Sequence, residues 1–263
     1  MKKTLIALAV AASAAVSGSA MAAGWEQNGT GGSVDLGGTL TPVEKVTPWE
    51  VKVGAPVTSL NAPIQKGQRV VDIAVNNAIP VLGIRTQTNN VIIGASDKVS
   101  PQIDYHGALD IDQFKDGVTP VTLVVKDEAG TTNIGTLTAD FTAVGVVSWK
   151  RADGTGAANN AIGMHGGDMF WGGLGKTEDS VSNNSVDIAN KLIPGVGDKF
   201  NNQGFKVEGK DFSGLNVKGT TYSGYYASGI EQGKTIKISL DTPAAGDDPI
   251  VWKASLPVTV TYQ

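Results

Sequence analysis

The sequence predicts an all-β fold, a sandwich or barrel of short strands, and three observations carry that reading. Apolar residues recur at every second position in several runs, which places them on one face of a strand. Turn formers punctuate those runs, as at Asn76-Asn77, Asn89-Asn90, Asp116-Gly117 and Asp153-Gly154. Glycine is abundant, 34 of 263 residues, without a three-residue period, which suits a loop-rich β protein and excludes collagen. With 41% apolar and 17% charged residues, the composition supports a packed core and is not that of a disordered chain.

At the N-terminus, Lys2 and Lys3 precede an uncharged, largely apolar run over 5–16, and Ala20-Met21-Ala22 offers the small residues that a signal peptidase accepts. A run of about a dozen residues is too short to cross a membrane, which takes about 20. Residues 1–22 therefore read as a secretory signal of the Gram-negative type, cleaved after Ala22. The mature protein is then exported and either soluble or embedded as a β-barrel. Next, Gly32, Val34, Leu36, Gly38 and Leu40 fall on one face and Ser33, Asp35, Gly37, Thr39 and Thr41 on the other. The upstream Gln27-Asn28-Gly29-Thr30-Gly31 offers no core former, and Pro42 ends the run. This is a one-sided strand on a flexible leash, and on pattern alone it also suits an ordinary first strand.

Further on, Trp49, Val51 and Val53 alternate with Glu50 and Lys52, and Val71, Ile73 and Val75 with Asp72 and Ala74. The runs 121–126 and 134–143 flank Asp127-Glu128-Ala129-Gly130 and read as a β-hairpin. From 151 to 226 the chain is rich in Gly, Asn, Ser and Asp, and reads as an insertion between framework strands. Two short helices are expected there, one around Asp168-Met169-Phe170-Trp171 and one over 186–192 that stops at Pro194-Gly195. Ile236, Ile238 and Leu240 mark another strand. At the end, Ala254, Leu256, Val258, Val260 and Tyr262 share a face opposite Ser255, Pro257, Thr259 and Thr261. Such a strand needs a partner along its edge and over its face, although Pro257 has no N–H to give to a ladder.

Several functions are excluded or disfavoured by chemistry. There is no cysteine, so disulfides, thiol nucleophiles and Cys-ligated metals are absent, and two histidines cannot make a three-His site. A formal charge of -4 is the wrong sign for neutralising phosphates, so no nucleic-acid partner is expected. Gly175-Lys176-Thr177 lacks the glycine that a phosphate loop needs, since Phe170 stands there. Asp110-Ile111-Asp112 and Asp247-Asp248 lack calcium-loop spacing, and no Gly-x-Ser-x-Gly elbow supports a hydrolytic triad around His106 or His165.

Seven landmarks occur in order. They are Gly-Ser-Val-Asp-Leu-Gly-Gly over 32–38, Trp-Glu-Val-Lys-Val-Gly over 49–54, Pro-Val-Leu-Gly-Ile-Arg-Thr over 80–86, the hairpin at 127–137, Met-Phe-Trp-Gly-Gly-Leu over 169–174, Tyr-Ala-Ser-Gly-Ile over 226–230, and the tail through Tyr262. By these the chain resembles the fimbrial subunits of Gram-negative chaperone–usher systems, most closely the FaeG-type group of enterotoxigenic Escherichia coli fimbriae. The resemblance implies an incomplete immunoglobulin-like sandwich that a neighbour's N-terminal extension completes by donor-strand exchange, with an inserted loop and short-helix region. It assigns residues 23–44 as the donor-strand extension and 45–263 as the subunit domain with its insertion at 151–226. Val34, Leu36 and Leu40 become the plugs of a neighbour's groove, with Gly38 where the groove floor rises. Leu256, Val258, Val260 and Tyr262 become the C-terminal strand that a periplasmic chaperone holds. One departure is that the position about fourteen residues from the C-terminus, often Gly in such subunits, is Ile250, with Gly246 nearby. The implied partners are other fimbrial subunits, the chaperone, an outer-membrane usher and a host glycan receptor. No cofactor, metal or enzymatic activity is implied, and the implied location is the cell-surface fimbrium. An outer-membrane β-barrel and a secreted hydrolase or lectin are the competing classes.

Overall fold

The computed structural model describes residues 27, 36–41, 46–94 and 99–263, and within them the alternating segments fold as strands. In chain order these are β1 (Trp49–Val53), β2 (Val70–Ala74), β3 (Ile79–Thr86), β4 (Ile92–Ile93), β5 (Pro101–Asp104), β6 (Val118–Asp127), β7 (Asn133–Lys150), β8 (Gly156–Ala161), β9 (Val207–Asp211), β10 (Thr221–Ile230), β11 (Thr235–Leu240), β12 (Trp252–Ala254) and β13 (Thr259–Tyr262). The one α-helix among the described residues, α1, is Ser185–Leu192. The unit that holds all of these runs from Val46 to Gln263.

The hairpin forms as its sequence dictates. Asp127 Oδ1 accepts the N–H groups of Thr131 and Thr132, Gly130 N–H donates to the Asp127 carbonyl, and Gly130 takes the positive φ (76°) that closes the turn. From there β6 and β7 pair antiparallel, and β7 continues for 18 residues as the spine of the fold. On its other edge β7 carries β10 and β11 end to end, and these in turn carry β3 and β2. Val75 N–H to the Lys234 carbonyl and Gly233 N–H to the Val75 carbonyl bridge the break between the two pairs. The strand path therefore runs β1, β3/β2, β10/β11, β7, β6, β12, with β8 and β9 attached to β7. Separately, β13 pairs with β5. Among the described residues the path does not close on itself, so no barrel forms. The arrangement is consistent with an immunoglobulin-like sandwich.

Two cores follow from the pleat. Leu82, Ile84, Phe141, Val147, Phe170, Tyr226, Ile236 and Ile238 belong to the larger one, inside the sandwich. Val144, Val146, Tyr225 and Ala227 belong to the smaller, which Ala189, Leu192 and Ile193 of the α1 region cover. Gly83 shows why the sheet lets the helix so close. A Cβ at Gly83 would meet the Ile193 side chain at 2.9 Å. Fully buried Phe141 stacks edge-on against Tyr105, with ring centroids 5.3 Å apart. Truncating it opens a cavity in close-packed surroundings, so Phe141→Ala is expected to lower stability by about 3–5 kcal/mol, measured by denaturant unfolding.

The insertion behaves as expected at one of its two helices. The helix expected over 186–192 exists as α1, and the chain leaves it at Gly195, whose φ of 80° suits the reversal. The helix expected around Asp168-Met169-Phe170-Trp171 does not form. Phe170 sits at φ 67°, outside the right-handed helical region, and the segment turns to drop its ring into the core. That ring packs edge-on to Trp49 at 5.8 Å and tilted on Tyr226 at 5.6 Å, a tertiary gain that overrides local helical pattern. The end of the 151–226 stretch lies in β10, between β3 and β7.

Candidate functional site

Both ends of the strand path carry an edge with no ladder partner among the described residues, and at both the apolar core face is incompletely covered. At the first end, β1 pairs only with β3, and register partners in an antiparallel pair lie side by side on one face. Leu82 and Ile84 of β3 are fully buried, yet their partners Val53 and Val51 are 64% and 42% exposed. Among the described residues Phe170 packs on Trp49 of this edge strand, while Val51 and Val53 further along the same face stay exposed.

At the other end, β12 pairs only with β6 and β13 only with β5. From Val251 to Gln263 half-buried and exposed residues alternate without a break. Ala254, Leu256, Val258, Val260 and Tyr262 all pack on the large core and all remain half-buried. Leu60, Val71, Ile79 and Val81 share that status on the same core. A core strand with neighbours on both edges, such as β10, is buried almost throughout. Chemically the site is an apolar floor beside free backbone donors and acceptors, which is what an extended segment needs to dock.

Behind this floor lies a buried hydroxyl network. Tyr105 follows β5, and its hydroxyl lies 2.9 Å from the Tyr226 hydroxyl and 2.7 Å from Ser228 Oγ, while the Tyr226 hydroxyl also donates to the Gly173 carbonyl at 3.2 Å. Burial pushes the Tyr105 phenol up to about 12 and raises that of Tyr226 well above its ordinary value. In the unfolded chain both ionise near 10 (roughly). The folded state thus holds these protons more tightly, and its advantage is complete below about pH 10 and drains as pH rises through the folded values. The thermal midpoint is expected to fall steeply above about pH 10, and less steeply in Tyr226→Phe, as followed by circular dichroism across a pH series.

The β1 edge is tied to the insertion. Glu50 accepts from Lys199 Nζ at 2.8 Å and Arg85 Nε at 2.9 Å, and Arg85 Nη1 donates to the Gly195 carbonyl at 2.9 Å. Lys199 first, then Arg85, hold the Glu50 carboxyl below its usual range.

Of the residues expected to form a donor strand, Leu36 and Leu40 are 93% and 96% exposed, Gly38 is exposed with open space at its α-carbon, and Val34 lies outside the described residues, as does the expected signal segment. Trp171 is half-buried beside buried Met169 and Phe170. Lys176 is paired with Asp112 at 2.6 Å, and Asp110 accepts the Asp112 N–H, so the set-aside loop motifs are occupied by local structure. Among the described residues no group of three or more His, Asp or Glu is placed to hold a metal ion. His106, which the sequence offers only as an unsupported triad member, reaches Thr259 across 153 positions of sequence, a contact that no local pattern announces.

The whole chain, residues 1–263, matches the family model described as fimbrial, major and minor subunit. It is 30% identical to the F41 fimbrial protein of Escherichia coli over 289 aligned positions that cover all of both chains. It is likewise 30% identical to K88 fimbrial protein AC and 31% identical to K88 fimbrial protein AB of Escherichia coli, again over the full length of each.

Proposed function

The chain belongs to the family of major and minor fimbrial subunits, and from that premise we propose that it polymerises by donor-strand exchange through the unfilled floor of the C-terminal strand. It is a structural, non-catalytic protein, and the β-barrel alternative has no support in either its relatives or its open strand path. In this reading residues 1–22 direct export, 23–44 form the extension lent to a neighbour, and 45–263 form the receiving domain with its insertion at 151–226. Val34, Leu36 and Leu40 enter the next subunit's core, each contributing about 1.5–3 kcal/mol when fully buried. Gly38 leaves room where backbones approach. Before assembly a periplasmic chaperone covers Leu256, Val258, Val260 and Tyr262, an usher conducts the exchange, and the fimbrium lies outside the cell, where it contributes to adhesion to host cells. The observation that carries the reading is the unbroken alternation of half-buried and exposed residues from Val251 to Gln263 beside an edge that has no ladder partner among the described residues.

The absence of native cysteine makes a clean test available. Chains carrying Leu36→Cys and chains carrying Val260→Cys, assembled together and oxidised, are expected to cross-link between subunits. A bond formed within a single chain carrying both substitutions, with none between chains, would overturn the reading.

A further inference from the structure

The N-terminal end of β13 is fastened by a side chain that strand exchange itself does not use. Tyr105-His106-Gly107-Ala108 is a tight turn closed by the Ala108 N–H on the Tyr105 carbonyl at 3.0 Å, with His106 at φ 53° and Gly107 at φ 77°. Two successive positive φ values favour Asn, Asp and Gly, and histidine is one of the few other residues that tolerate the first of them. His106 is held there from two sides. Its backbone N–H donates to Asp104 Oδ1 at 2.7 Å, and its ring Nε2 lies 2.8 Å from Thr259 Oγ1. Asp104 and Thr259 are register partners, so these three exposed residues bridge β5 and β13.

The position of that bridge matters because β13 is short and thinly supported. It has four residues and, among the described residues, one ladder neighbour. Its C-terminal end is closed by reciprocal bonds between Ser100 and Gln263, at 2.8 and 3.1 Å. The stretch before it, 255–258, lies in no strand, and Pro257 has no N–H to give. An isolated strand pair frays from an unsupported end. We propose that His106 is a positioning residue for the C-terminal strand, holding β13 on β5 through Thr259 so that the apolar face stays presented while the core is unfilled. The purpose of this latch rests on the strand-exchange reading; the latch itself rests on the geometry.

The same residues form an Asp–His–hydroxyl line of the kind that activates a nucleophile. Here Asp104 Oδ2 lies 3.8 Å from His106 Nδ1, beyond hydrogen-bond reach, and the other carboxylate oxygen is committed to the turn. The line holds a strand and does not relay a proton.

Amide hydrogen exchange on the full chain decides the matter. His106→Asn keeps a residue at home in the turn but too short to reach β13, Thr259→Val removes only the hydroxyl, and Thr259→Ser restores it. The first two are expected to speed exchange of the β13 amides about tenfold while leaving β7 unchanged, and Thr259→Ser is expected to retain native protection. The double variant His106→Asn/Thr259→Val should exchange no faster than either single one. Unchanged β13 protection in both single variants, or additive effects in the double, would overturn the latch. Uptake of a synthetic peptide of residues 32–41 is followed in parallel. If the native chain takes up none, the strand-exchange reading fails while the exchange data still decide the role of His106.

Discussion

A chain carrying Leu36→Asp is expected to fold, to bind its chaperone and to stop before entering a fibre. Leu36 lies outside the unit Val46–Gln263 that holds the strands and core, so the substitution changes no residue of the receiving domain. Its effect falls on the neighbour whose floor the side chain would enter. There the exchange removes about 1.5–3 kcal/mol of apolar burial and sets a carboxylate against Leu, Val and Tyr side chains without a partner. The two effects together come to at least about 4 kcal/mol, or roughly a thousandfold in the equilibrium of strand insertion. Removing residues 24–42 is expected to stop assembly at the same step, with the chaperone complex intact. The measurement is the ladder of detergent-resistant polymers formed with chaperone and usher present. A normal ladder from either variant would show that some other segment completes the core.

The second large effect is expected on the receiving side. Val260→Asp places a charge on the core face of β13, where Val260 is half-buried against the large core, whereas Thr261→Asp places the same charge on the exposed face one residue later. The first is expected to abolish recovery of the subunit with its chaperone and to leave it degraded in the periplasm; the second is expected to leave recovery near native. Because the two variants share charge, strand and neighbourhood, a difference between them reads which face is covered. Equal recovery of both would mean that the chaperone does not use the face formed by Leu256, Val258, Val260 and Tyr262.

Much of the framework was legible in the sequence because strands declare themselves locally. The alternation at 121–126 and 134–143, with a turn tetrad between, needed no distant information, and β6, β7 and their turn stand there. The same holds for β1, β2 and β11, whereas the tail read as one strand from Ala254 to Tyr262 is two. β12 ends at Ala254 on β6 and β13 begins at Thr259 on β5, with Pro257, which has no N–H for a ladder, in the stretch between. The candidate site was legible in the same way, since the pleat alone puts Leu256, Val258, Val260 and Tyr262 on one side. The alternation at Trp49, Val51 and Val53 shows the limit of that logic. It says that the three share a face, but only the packed structure shows that Phe170 covers Trp49 and that the two valines stay open.

The sequence by itself determined which residues share a face, where the chain must turn, the absence of thiol chemistry, and a family resemblance that its relatives bear out. Tertiary structure alone decided which faces are covered, that the segment from Asp168 to Trp171 turns instead of winding into a helix, and that His106 meets Thr259. The physical reason is that period and turn chemistry act over a few residues of backbone. Burial depends on what the rest of the chain brings to a face, and among the described residues the apolar faces of β1 at Val51 and Val53 and of β13 are incompletely covered.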